Sequence, residues 1–213
     1  MPLPWRNPRP TGLCSLAHDS DDAVVVDTSV AINLNATGCA APLLGALPFG
    51  LVLTDSVAAE LRQDRRSGRN DAGLLASLIQ AGLIRVVSLG DAGQQMFASL
   101  VIGPASDTLD DGEASTLAYA AEHDLRPVID ERKALRICVR RFPRLRPMST
   151  VDLLMQSGVL AALGREGLAD AVFQALRAAR MRVPPAQVAW VVRLIGPERA
   201  AQCSSLPAAA RRG

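Results

Sequence analysis

Short runs of β-branched residues alternate with stretches of helical spacing along most of this chain. Residues 23–27 form the run Ala23-Val24-Val25-Val26-Asp27, a buried strand closed by polar residues. Thr28 or Ser29 can cap a following helix through Ile32, Asn33 and Leu34 that stops near Gly38. A second strand covers 51–53, and Thr54 or Asp55 can cap a helix carrying Val57, Glu60 and Leu61. A helix over 70–81, a strand over 83–87 after Gly82 and a helix over 91–100 come next. Asp110 opens a helix through Leu117, Ala118 and Ala121; residues 127–129 are a strand, 131–139 a helix, and 145–148 a short last strand. Strands alternating with helices predict an α/β fold of three layers around a parallel sheet. Ser149-x-x-Asp152 has the form of a capping box, and helices follow over about 167–180 and 185–195, with Pro184 and Pro185 at a helix entrance.

Composition narrows the class. At roughly 150 residues per domain, 213 residues suggest one domain with extensions. Aromatics are only 3% of a chain that is 49% hydrophobic, so the core must be aliphatic. No apolar run approaches the roughly 20 residues of a membrane span, and the proline-broken N-terminus lacks a signal-peptide core; a cytoplasmic protein is expected. Residues 1–22 read as a poorly ordered extension and 203–213 as a frayed tail. Cys14, Cys39, Cys138 and Cys203 make no Cys-x-x-Cys pair, which argues against structural zinc and for idle thiols. Two histidines, His18 and His123, leave little material for a Ser-His-Asp or Cys-His mechanism. Neither a Gly-x-Gly-x-x-Gly turn nor a phosphate-binding P-loop is present, and the first strand ends in Asp-Thr-Ser rather than Asp-x-Asp.

Four acids lie at junctions where the loops of an open α/β sheet converge. Asp27 and Asp130 end strands; Glu60 and Glu113 stand early on helices. Asp130 has a competing acid in the adjacent Glu131, and the other three have ordinary alternatives. Asp27 could cap the next helix, although Thr28 and Ser29 can do so and leave it free to face the crevice. Glu60 could be a solvated surface residue, and Glu113 could close a capping pattern with Asp110. Gathered together, carboxylates repel: a pair about 4 Å apart at an effective dielectric of about 20 costs about 4 kcal/mol. A cluster of them therefore calls for a hard cation.

In order and spacing, Val26-Asp27-Thr28-Ser29, Ala59-Glu60-Leu61, Asp111-Gly112-Glu113-Ala114 and Ile129-Asp130-Glu131-Arg132 resemble the four acidic motifs of PIN-domain nucleases. The Gly-Glu-Ala form of the third is similar to one prokaryotic PIN-like branch that also carries a C-terminal helical extension. The resemblance covers residues 23–197 and implies a Rossmann-like PIN core over 23–148, a helical extension over 149–202 packed on it, and metal-dependent hydrolysis of RNA. It makes Asp27, Glu60, Glu113 and Asp130 the catalytic acids. Asp27, Glu113 and Asp130 are the implied direct or water-mediated ligands of Mg²⁺ or Mn²⁺, which favour octahedral oxygen donors. Glu60 would complete the site or accept a proton, and Thr28, Ser29 and Asn33 would orient ligands or waters. Many small prokaryotic relatives are toxins of toxin–antitoxin pairs, so an antitoxin partner is a further expectation. The rival is a PIN-shaped binding module without useful activity.

Lys133 is the only lysine; every other basic residue is arginine, a planar fork suited to phosphate. Arg132, Arg136 and Arg140 recur every fourth residue after Asp130, and Arg62 and Arg66 follow Glu60. They are candidate RNA contacts, or an ordinary solvated face. Val188, Trp190, Val191, Leu194 and Ile195 either cover the core or serve a partner such as a second copy of the chain.

Overall fold

The computed structural model describes residues 23–63 and 70–212. Four parallel strands form one sheet: β1 (Ala23–Val26), β2 (Gly50–Thr54), β3 (Ile84–Val87) and β4 (Arg126–Val128), in the order β3-β2-β1-β4. Val24 pairs with Leu51 on one side and Arg126 on the other. All four residues of β1 are buried, as expected of a central parallel strand covered on both faces. Successive side chains serve opposite faces. Val24, Val26, Leu51 and Leu53 join one apolar cluster, while Ala23, Val25 and Val52 join another.

The first face is covered by α1 (Thr28–Ala36), α2 (Ala40–Gly45), α3 (Asp55–Gln63) and α4 (Asp71–Gln80). The second carries α5 (Asp91–Val101), α6 (Asp111–His123) and α7 (Arg132–Arg141). This is the parallel three-layer α/β arrangement expected from the alternation of strands and helices. The expected last strand over 145–148 is reduced to one parallel bridge, Val128 to Met148. Arg146 and Pro147 stand between Leu145 and Met148, and proline removes a ladder donor.

The chain then forms α8 (Thr150–Leu154), α9 (Ser157–Ala178), a 3₁₀ turn (Pro185–Gln187), α10 (Val188–Ile195), α11 (Pro197–Ala201) and α12 (Ala208–Arg211). The capping box at Ser149 and Asp152 is formed. Helix α9 is interrupted at Gly164, whose φ of 66° suits glycine. Leu168, Val172 and Leu176 share the first apolar cluster with Val24 and Leu34. Val191 and Ile195 are buried there too, with Trp190 and Leu194 packed against it, so α10 turns its apolar side to the core.

The expected frayed tail is corrected at its start: Cys203 and Leu206 are buried in the first cluster. Two isolated apolar residues among small and polar neighbours carry no helical period, which hides their burial in the sequence. The expected extension over residues 1–22 lies outside the described residues.

Candidate active site

Strand order reverses beside β1: β2 follows it to one side, β4 to the other. Ligand crevices in open α/β sheets lie at such a switch point, beyond the carboxyl ends of the strands. Asp27 and Asp130 are both there. The Asp27 N–H donates to the Val128 carbonyl at 3.4 Å, which ties the two strand ends together.

Asp27, not Thr28 or Ser29, caps α1, correcting that expectation. Its Oδ1 accepts from the Val30 N–H at 2.7 Å and from Ser29 Oγ at 2.9 Å. The positive end of α1 thus holds a carboxylate that is 2% exposed. Both of these donors go to one oxygen, Oδ1.

Asp130 is held by three donors. Its Oδ1 accepts from the Thr150 N–H at 2.9 Å; its Oδ2 accepts from Thr150 Oγ1 at 2.5 Å and Asn33 Nδ2 at 2.7 Å. Thr150 is in reach because Ile129 donates to the Met148 carbonyl and Met148 donates to the Pro127 carbonyl. Asn33, one of the residues singled out in the sequence, thus contacts Asp130, whereas Thr150 was not foreseen. Its signal was the capping box, which places residue 150 first in a helix with its N–H free for an acceptor.

Glu60 links the other two elements. Its Oε2 accepts from Thr28 Oγ1, and its Oε1 accepts from the Gly112 N–H at 2.9 Å. Thr28 is thus committed to Glu60 rather than to Asp27. A Cβ on residue 112 would lie 2.7 Å from both Glu60 Oε2 and Thr28 Oγ1, so only glycine admits this approach. Below the contact, Thr54 Oγ1 and Ser115 Oγ are hydrogen-bonded at 2.7 Å, fixing the N-terminal half of α6 to the end of β2. Asp110 caps α6, accepting from the Glu113 N–H at 2.8 Å.

The electrostatics bring three of the acids into one field. Burial pushes Asp27 up to about 8, against the Val30 N–H, and the charges of Asp130 and Glu113 raise it further. Glu113 is pushed up to about 7, by burial first and then by Asp110 and Glu131. Asp130 is raised by burial despite its partial accessibility, opposed by Thr150 and Asn33 and reinforced by Asp152. Such a site favours a proton or a cation.

Among the described residues, no three Asp, Glu, His or Cys side chains stand ready in a coordinating group. The donor chemistry nonetheless fits a hydrated hard ion. Asp130 Oδ2 already takes two donors, leaving its free electron pairs largely on Oδ1. Magnesium keeps several of its waters, so contacts through water suit these occupied oxygens.

The arginines divide. Arg140 pairs with Asp107 at 2.5 Å and Arg136 donates to the Ser106 carbonyl at 3.0 Å, so both tie α7 to the loop before α6. Both stay exposed, as on an ordinary solvated face, the alternative reading of these arginines. Arg132 and Arg62 are exposed, and Arg66 lies outside the described residues. Arg182, not anticipated from the sequence, pairs with Glu131 beside Asp130 at 2.9 Å. Cys138 and Cys203 are buried free thiols, and burial pushes Cys138 up to about 11.

Sheet order, strand-end acids and flanking helices define a protein of the PIN class. The DUF3368 family model, a PIN domain, matches residues 23–197, and the chain belongs to that family. No curated protein matches the chain significantly. PIN domains are generally nucleases, and they usually use divalent metal ions. No helix among the described residues is long and apolar enough to cross a membrane.

Proposed function

We propose that this PIN-domain protein is a divalent-metal-dependent ribonuclease acting in the cytoplasm. What supports the reading is the placement of Asp27 and Asp130 after adjacent strand ends at the switch point of the sheet, with Asp27 buried and raised further by the charges of Asp130 and Glu113. Burying like charges is costly unless something offsets them, and a cation does so while drawing in a phosphodiester.

Asp27, Glu113 and Asp130 would hold the ion, in part through water. When bound, a divalent cation acidifies a water for attack on phosphorus and offsets charge on the phosphoryl oxygens. The chain's own residues supply position. Ser29 and the start of α1 fix Asp27, and Thr150 with Asn33 fixes Asp130 in two directions. Glu60 acts as a positioning residue, binding Thr28 and the Gly112 N–H so that α6 carries Glu113 to the other acids. Arg132 and Arg182 flank Asp130 and would attract the substrate's phosphates. The toxin half of a toxin–antitoxin pair is the biological setting this reading fits, with an antitoxin cation able to occupy the same acidic pocket.

The test is cleavage of a mixed RNA pool by purified protein with Mn²⁺ or with EDTA. Cleavage that needs Mn²⁺ and is lost in Asp27→Asn is expected. Equal rates for wild type and variant at saturating Mn²⁺ would falsify the assignment. Absence of cleavage by a folded, metal-loaded wild type would favour the binding-module alternative.

A further inference from the structure

Asp130 borders two cavities. The smaller, about 160 Å³, is shared with Ser29, Asn33 and residues 179–182. The larger, about 540 Å³, lies between the stretches that follow β4 and precede α8 and the C-terminal segment 182–187, with Ser205 at its wall. We infer that the larger cavity seats the nucleoside of the nucleotide adjoining the scissile phosphate. This rests on the ribonuclease reading and specifies how the substrate is held.

Four observations point the same way. The cavity has the size of a small-molecule site and is lined by Asp130, so a chain whose phosphate is held at that carboxylate's ion would place its next residue within it. Its walls are largely apolar, with Leu135, Met148 and Val183 offering a surface to a base. Pro147, Pro184 and Pro185 restrict the backbone on both sides and keep the space formed before binding. At its edge stand two guanidinium groups, Arg132 and Arg182, the latter steadied by Glu131 at 2.9 Å. Guanidinium forks match phosphate oxygens, which an apolar peptide would not supply.

Ser205 adds a polar mark. Its Oγ is buried with no hydrogen-bond partner among the described residues, and Ser205 lines this cavity. No aromatic ring lines the cavity among the described residues, so bases would be held by apolar contact and discriminated weakly.

The probes are the four 5′-nucleoside monophosphates, added to the full chain in EDTA and followed by methyl NMR of Met148 and Leu135. Binding at millimolar concentration with similar affinity for all four is expected. Ala186→Trp, placed on the exposed 3₁₀ turn at the cavity wall, should weaken binding about tenfold or more and raise the KM for RNA cleavage by a comparable factor, with folding checked by thermal unfolding. Arg182→Gln should weaken monophosphates while leaving the parent nucleosides unchanged. No shift with any monophosphate at about 10 mM, or equal binding by the folded Ala186→Trp protein, overturns the proposal. A wild type that cleaves RNA but fails these tests sinks the cavity assignment alone. One that binds monophosphates but never cleaves RNA with Mn²⁺ sinks the nuclease reading instead.

Discussion

Replacing Asp27 with asparagine should make the metal-free protein more stable, and the size of the gain should depend on pH. Asp27 is pushed from 3.8 to about 8 in the folded chain. A raised folded pKa means that the native state binds the proton more tightly than the unfolded chain. That contribution is complete below 3.8 and is lost progressively as pH rises to about 8. At 1.36 kcal/mol per pH unit, the stability lost by pH 7, where the unfolded chain has ionised while the folded carboxyl still holds its proton, is up to about 4 kcal/mol. Asparagine removes the charge but keeps an oxygen for the Val30 N–H and Ser29 Oγ, and Asn is as good an N-cap as Asp. Urea unfolding in EDTA from pH 5 to 8.5 measures the effect. The wild type should lose stability across this window while Asp27→Asn stays flatter, the two diverging by a few kcal/mol near pH 8. Adding Mn²⁺ at pH 8 should stabilise the wild type more than the variant. Parallel curves in EDTA would refute the claim that burial holds the Asp27 carboxyl well above its usual range.

Gly112→Ala forces a methyl within 2.7 Å of Glu60 Oε2 and Thr28 Oγ1, and should cost about 1–3 kcal/mol in unfolding free energy together with most of the cleavage rate. Unchanged stability would mean that the Glu60 contact is loose. Thr150→Ala removes the hydroxyl donated to Asp130 but keeps the backbone N–H. It should lower Mn²⁺-dependent cleavage about 10- to 100-fold with the fold intact by circular dichroism. Wild-type kinetics would dismiss Thr150 as a positioning residue. Leu206→Ala should destabilise by about 2–5 kcal/mol, as befits a side chain only 2% exposed. A change within about 0.5 kcal/mol would restore the view of a frayed tail.

The fold was legible where local pattern and tertiary need agreed. Three consecutive valines before Asp27, or an Asp-x-x-Glu start before an apolar helix, say the same thing at every level. Helix α2 went unread because Ala40-Ala41-Pro42-Leu43-Leu44-Gly45 has proline and glycine in six residues, yet Leu43 and Leu44 are buried. The site was legible as residue types at strand and helix ends. Its wiring was not: Thr150 reaches Asp130 across 20 residues, and Glu60 reaches Gly112 across 52. Such contacts follow from strand order and helix placement, which a periodicity does not encode. Arg140 shows the converse, because a regular basic stripe gives no sign that Asp107 faces it.

The most direct test of the account is where manganese binds. Crystals of the protein soaked in Mn²⁺, measured at the manganese absorption edge, should show an anomalous peak among Asp27, Glu113 and Asp130, and Asp27→Asn should weaken or abolish it. A fully loaded protein with its manganese elsewhere, or with no peak between those three carboxylates, would contradict the claim that they form a cation site.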